Sequence, residues 1–321
     1  MPQPPDRSVH WQPGFPVDAR LTLESLRRGP YDPTHRVDPD GTVWRTALTV
    51  SGPVTYRIRK QRLDDVHIDA WGPGSAELAD SVRRELGEGD RPELFRPRHP
   101  VLRGAVRRLP GLRVPRTGRL FEALVPAVLE QRVVGLDAAA SFTRLTLLYG
   151  EPAPGPAPGG MRLPLPPGTW RTVPSWEWRR AGVDLHRSGT VIEASRHAAR
   201  LDRAAGDPAH AYALMAKLPG VGVWTAAQVG HRALGDADAL PLGDYHLGTL
   251  TGMALLGRPL ADDEIEPFYE PFRPHRYRVV RLLELTYGAA PRHGPRAPRA
   301  GPFGGGAKAS RRAGPWRVNH R

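Results

Sequence analysis

Two segments hold residue types and spacings that can do chemistry. The first, Leu218-Pro219-Gly220-Val221-Gly222, lies between two short apolar periodicities, 210–217 and 223–234, that read as helices. Pro219 stops the first helix, and the two glycines allow a tight turn with little side-chain bulk. A helix starting at Val223 then points its unpaired N–H groups and the positive end of its dipole out of the turn. That suits an anion such as one phosphate of a nucleic-acid backbone. A plain packing corner between two helices fits the same local pattern. The second segment, Pro241-Leu242-Gly243-Asp244-Tyr245-His246-Leu247, puts Asp244 20 residues beyond Trp224 and just ahead of another apolar-periodic helix. A carboxylate there either caps that helix or faces a cleft, where it can stabilise growing positive charge or activate a water molecule.

The elements that must position these residues fall into three parts. Residues 1–100 read as a small α+β domain, with strand-like runs at 43–50, 54–59 and 66–71, a turn at Ser51-Gly52-Pro53, a helix over 76–86 and a linker over 90–100. Residues 101–290 read as mostly helical. Phe121, Leu124, Val125, Val128 and Leu129 recur at helix spacing around Pro126, which must start or kink that helix. Further helical patterns cover 137–148, 190–205, 245–256 and 276–287, and the proline- and glycine-rich stretch 150–168 reads as a surface loop. Trp176 and Trp178 share a face if extended and diverge if helical, and they read as candidates either for interhelical packing or for lining a channel. Residues 291–321 read as a basic, disordered tail.

Composition narrows the function class. With 40% apolar and 25% charged residues the chain is globular, and no run of eighteen apolar residues offers a membrane span. No secretory signal is visible, so the expected location is cytoplasmic, at the nucleoid in a bacterium. The absence of cysteine removes disulfides, thiol nucleophiles and thiolate-held zinc or iron–sulfur clusters. The twelve histidines show no close metal-ligand spacing, so no structural metal is expected. The net charge of +13 is less telling than it looks. All but Lys60, Lys217 and Lys308 of the 46 basic residues are arginine, which fits a G·C-rich coding bias, and eight of them fall in the tail. Charge alone singles out no partner.

Taken together, 218–226 resembles the helix–hairpin–helix motif of the base-excision DNA glycosylases, and Gly243-Asp244-Tyr245 resembles their catalytic-aspartate segment. The nearest branch is the alkylation-repair type, the DNA-3-methyladenine glycosylase II family. Phe121-Glu122-Ala123-Leu124-Val125 through Glu130-Gln131-Arg132-Val133 is similar to the helix and loop that face DNA in that branch, and Arg273-Pro274-His275-Arg276-Tyr277 to its late helix start. The likeness runs over about 15–288. It implies a small N-terminal α/β domain followed by a mostly helical helix–hairpin–helix glycosylase fold. It also implies a monomeric enzyme acting on duplex DNA that contains damaged bases.

The resemblance assigns roles residue by residue. Asp244 would stabilise the sugar cation and position water. Leu218, Pro219, Gly220, Val221, Gly222, Val223 and Thr225 would hold a DNA phosphate, with a monovalent cation possible at that contact and no other cofactor. Trp224 stands where lyase-active members place a lysine nucleophile, which implies hydrolysis without strand cleavage, and it is a candidate to stack on the extruded base. Gln228 and Glu284 stand at aromatic pocket positions of relatives, and Tyr245 is a further substrate-binding candidate. Glu284 would attract a cationic methylated base. Gln131, Arg132 and Val133 are the candidates to fill the gap the flipped base leaves. Three rival readings remain: a glycosylase for oxidised or mismatched bases, a non-catalytic binder of DNA lesions or junctions, and a general RNA-binding or structural helical protein.

Overall fold

The computed structural model describes residues 3–288, so the tail at 291–321 lies outside the described residues. The chain opens with β1 (Arg7–Trp11), α1 (Ala19–Leu23), β2 (His35–Val37), β3 (Val43–Thr49), β4 (Gly52–Arg62), β5 (Asp65–Trp71) and α2 (Ser75–Glu85). The strands form one antiparallel sheet in the order β1-β5-β4-β3-β2. Alternation decides the faces: Val54, Tyr56 and Ile58 of β4 and Val66, Ile68 and Ala70 of β5 pack against Leu78, Val82 and Leu86 of α2 and its end. The edge strands β1 and β2 are short and polar, which is why their sequence carries little strand signal.

The helical part comprises α3 (Pro100–Arg108), α4 (Leu120–Leu129), α5 (Gly135–Tyr149), α6 (Pro167–Thr172), α7 (Ser175–Arg180), α8 (Leu185–Arg196), α9 (Ala198–Arg203), α10 (Pro208–Met215), α11 (Val223–Val229), α12 (Leu247–Leu255), α13 (Asp262–Tyr269) and α14 (Arg276–Thr286). A single π-helical turn, Gly230–Leu234, continues α11. Two cores organise these helices. One surrounds α4, whose every residue but Glu122 is buried, and takes in residues of α5 to α11. The other joins α3 to α12, α13 and α14. Pro126 sits inside α4 rather than at its start.

One reading changes in part. The 150–168 stretch is a surface loop over 150–160 but not beyond: Met161, Leu163 and Leu165 are buried, and Met161 packs on Trp44 and Trp71, whose rings stack 5.7 Å apart. The Thr46 hydroxyl donates to the Arg162 carbonyl at 2.6 Å, so the segment ties the sheet to the helices. Proline and glycine report missing periodicity, not exposure. The helices α6, α7 and α13 are short and capped by proline or acidic residues rather than marked by long periodicity. Trp178 is buried and stacks on Trp170 at 5.5 Å while Trp176 is 62% exposed, the divergence expected of a helix. No helix among the described residues is long and apolar enough to cross a membrane.

A buried charge seam fastens α2 and the sheet to α4. Glu85 accepts a hydrogen bond from Tyr56 and from Arg119 at 3.0 Å, and Arg45 lies 3.5 Å away. Glu122 faces the same two arginines, at 3.6 Å and 3.0 Å.

Candidate active site

The glycine turn links α10 to α11. Leu218 and Val221 are buried and anchor the turn to the core, whereas Pro219, Gly220, Gly222 and Val223 are exposed, Val223 at 67%. The N–H groups of Gly220 and Gly222 have no partner among the described residues, so exposed donors face outward from a fixed backbone. The two glycines are not equivalent. Gly220 has φ +81°, and a Cβ there would meet the Thr190 hydroxyl at 2.2 Å; Gly222 has ordinary extended geometry and open space around it. Gln131 donates its amide to the Gly220 carbonyl at 2.8 Å and to the Thr225 hydroxyl at 2.9 Å. It therefore braces the turn instead of reaching into a DNA gap.

Gln131 belongs to the loop between α4 and α5. Arg132 at its tip is exposed and is the one non-glycine among the described residues with positive φ, 56°. Holding an arginine there costs about 1–2 kcal/mol. Its side chain makes no hydrogen bond or ion pair among the described residues. Val133 follows it, half-buried.

Asp244 is positioned from two directions. Asp238 accepts from the Arg276 backbone N–H at 3.1 Å and from its guanidinium at 2.8 Å, which fixes the start of α14 against the segment leading to Asp244. Gly243, at φ +87°, then turns the chain. The Asp244 carboxylate accepts from the Trp224 indole N–H at 3.1 Å through Oδ2 and from the His246 backbone N–H at 2.9 Å through Oδ1. The cap position of α12 is His246, with no side-chain cap, so the Asp244 carboxylate does not serve as that helix's N-cap. It is half-exposed and lines a cleft enclosing about 480 Å3 of empty space, the solvent at its mouth included.

Gln228 and Glu284 line the same cleft, together with Ser25, His231, Arg232 and Arg281. Trp224 and Tyr245 do not line it: Trp224 holds Asp244, and Tyr245 is 64% exposed with its ring edge-on to His246 at 5.1 Å. The cleft is richer in cationic groups than the sequence suggests. Glu284 accepts from Arg281 at 3.0 Å and stays 43% exposed. The Nε and Nη2 atoms of Arg281 are buried without a partner among the described residues. Arg232 donates to the Ser25 carbonyl at 2.8 Å and to the Gln228 carbonyl at 2.8 Å. Burial, then Arg232, Arg28 and Arg281, holds the His231 imidazole well below its usual range, so it is neutral; it stacks on Tyr277 at 3.8 Å. Burial and then Arg232 lower the neighbouring Arg28 guanidinium to about 9.

His231, Arg232 and Arg281 escape the sequence reading, yet a signal exists. Gln228, His231 and Arg232 follow i, i+3, i+4 spacing, and Tyr277, Arg281 and Glu284 share one face of α14.

The chain is similar to solved DNA glycosylases over most of its length. The 3-methyladenine DNA-glycosylase from Archaeoglobus fulgidus superposes with a TM-score of 0.71 at 14% identity, over 87% of this chain and 97% of that one. MBOgg1 in complex with a low-affinity DNA ligand gives 0.64 at 16% identity, over 88% and 96%. The Clostridium acetobutylicum 8-oxoguanine glycosylase/lyase in its apo form gives 0.62 at 14% identity, over 89% and 98%. The fold is that of the helix–hairpin–helix DNA glycosylases. In this fold α10, the glycine turn and α11 form a helix–turn–helix pair, and Asp244 meets α11 directly at Trp224. No family model matches the chain. Two curated proteins, from two strains of Mycobacterium tuberculosis and each named "Probable bifunctional transcriptional activator/DNA repair enzyme AlkA", are 33% identical over 197 residues. That alignment takes in 58% of this chain, which spans 37% of the length of each relative.

Proposed function

We propose that this protein is a monofunctional DNA glycosylase that hydrolyses the N-glycosidic bond of alkylated purines in duplex DNA. The observation that carries the proposal is Asp244: a carboxylate oriented by two neutral N–H donors, at the cleft that follows the hairpin. As the base departs, positive charge grows on the deoxyribose. A carboxylate held by neutral donors keeps its full charge for that cation and has lone pairs left to receive a proton from the attacking water. The hairpin's exposed N–H groups would hold a backbone phosphate while the target nucleotide is turned out of the stack.

The placement of the lysines supports the monofunctional reading. A Schiff-base mechanism needs an amine at the sugar, and among the described residues no lysine lines the cleft. Lys60 is paired with Asp18 at 2.6 Å on the N-terminal sheet, and Lys217 is exposed on the hairpin. The DNA-repair name of the curated relatives supports a role in DNA repair.

A second reading, excision of oxidised bases, draws on one feature. The unpartnered Arg281 donors would bond a purine carbonyl, which 8-oxoguanine offers and 3-methyladenine does not; 7-methylguanine offers one too, so the comparison of those two guanines separates the readings. One experiment tests both. Duplexes containing 3-methyladenine, 7-methylguanine, hypoxanthine or 8-oxoguanine are incubated with the protein, and free base, abasic sites and strand breaks are measured. Release of methylated bases, leaving intact abasic strands, is expected. Preferential release of 8-oxoguanine would transfer the proposal to the second reading, and no release at all would sink both.

A further inference from the structure

A second cluster of chemistry-bearing side chains lies far from Asp244 in sequence, on the polar face of the N-terminal sheet. His10 of β1 and His67 of β5 are directly opposite each other in register, and Asp65 lies two residues before His67 on the same face. The His10 Nε2 is 2.9 Å and the His67 Nε2 3.2 Å from the same Asp65 oxygen, Oδ1. The two imidazoles stack with centroids 4.2 Å apart and planes 9° apart. One ligand atom from each residue falls within 4.8 Å of the other two. Donor atoms around a metal bonded at about 2.0–2.2 Å sit roughly 3 Å apart, so both imidazole–carboxylate separations already fit, and a tilt of the stacked rings is what brings the two Nε2 lone pairs onto one ion.

We propose that His10, Asp65 and His67 form a binding site for one divalent transition-metal ion of the zinc, nickel or copper class, which clips the edge strand β1 to β5. Two imidazoles and a carboxylate are the donor set these ions prefer, and magnesium and calcium favour oxygen alone. The cations beside the site are already paired. On the adjoining strand Arg59 stands opposite His67 and Arg62 opposite Asp65; Arg59, with Arg57, is taken up by Asp69 at 2.8 Å, and Arg62 lies 3.4 Å from Asp64. All three ligand side chains remain accessible, at 50%, 20% and 31% for His10, Asp65 and His67, which leaves further coordination positions to water. Binding shifts the ring protons from Nε2 to Nδ1 and frees the Nε2 lone pairs, so protons compete with the metal and uptake weakens in acid. No close-spaced histidine motif announces the site, because strand pairing brings together residues 55 apart in the chain, His10 and Asp65.

The test is a calorimetric titration of the metal-stripped full-length protein with zinc chloride and nickel chloride, repeated on His10→Ala, His67→Ala and Asp65→Asn, with thermal melting in parallel. Wild type should take up about one equivalent and melt higher with metal. Each variant, folded and of near-normal melting temperature without metal, should bind roughly tenfold more weakly or worse and lose the metal-dependent gain. Base excision should be unchanged throughout, since no residue of the cleft is touched. Absence of uptake by the wild type, or uptake by all three variants equal to that of the wild type, would overturn the proposal; the latter would place the ion on other histidines.

Discussion

Two carboxylates, Glu85 and Asp244, show how one functional group is put to opposite uses. Glu85 is buried and gripped by Arg119, Arg45 and the Tyr56 hydroxyl, with Glu122 balancing the second charge of the pair of arginines. Burial alone would raise its pKa, but Arg119 and Arg45 outweigh burial and hold it below the ordinary 4.5. Asp244 is half-exposed and held by the Trp224 indole and the His246 backbone, neither of them charged. A carboxylate locked by guanidinium groups is neutralised in place and stabilises the fold. One oriented by neutral donors keeps its charge for something that arrives.

The comparison breaks most sharply at Asp244. Asp244→Asn should lower single-turnover base release by about 10³-fold while leaving melting temperature and affinity for abasic duplex unchanged. Near-normal release would remove Asp244 from the chemistry. Glu85→Gln should do the reverse: about 3 kcal/mol of stability lost in urea unfolding, with normal excision by the folded fraction. Because the folded-state pKa of Glu85 is depressed, its contribution is present above pH 4.5 and disappears as pH falls through that depressed value, so wild type and variant should converge in acid. Equal stability of the two proteins at neutral pH would show the seam to be inert.

Trp224→Phe sharpens the contrast. It keeps an aromatic ring but deletes the N–H that aims Oδ2, and should cost about tenfold in rate with little change in DNA affinity. A variant that loses affinity instead would restore Trp224 as a base-stacking residue. The smallest effect belongs to Gly222→Ala. The site has room for a methyl group, so folding should be intact, while binding to damaged and undamaged duplex falls a few-fold alike. Gly220 is the wrong residue for this comparison, because Thr190 and the positive φ make its substitution a stability change.

Much of this was legible from the chain because local rules agreed with the tertiary outcome. Val54, Tyr56 and Ile58 alternate and form a half-buried strand, and Pro219 with Gly220 makes the hairpin turn. The site was legible only where one segment holds it. Asp244 and the turn could be found that way, and Gln228 and Glu284 do reach the cleft. What escaped depends on contacts between distant segments: the pairing of Glu284 with Arg281, the engagement of Gln131 by Gly220 and Thr225, and the use of Trp224 as a support for Asp244. No periodicity reports which of two charged neighbours a side chain will choose. The burial of Met161 and Leu165 escaped for a related reason, since apolar residues in an irregular segment have no repeat by which to recognise a face.

The Arg232 hydrogen bond to the Ser25 carbonyl joins residues 207 positions apart, and the cleft it helps close runs on to Glu284. In the order of synthesis, the sheet and the helices as far as the hairpin leave the ribosome before α14 does. A chain interrupted between α11 and α14 therefore has its glycine turn but only part of a cleft wall and of the second core. Quality control that clears interrupted chains thus matters more for this architecture than for one whose site is built from a single contiguous stretch.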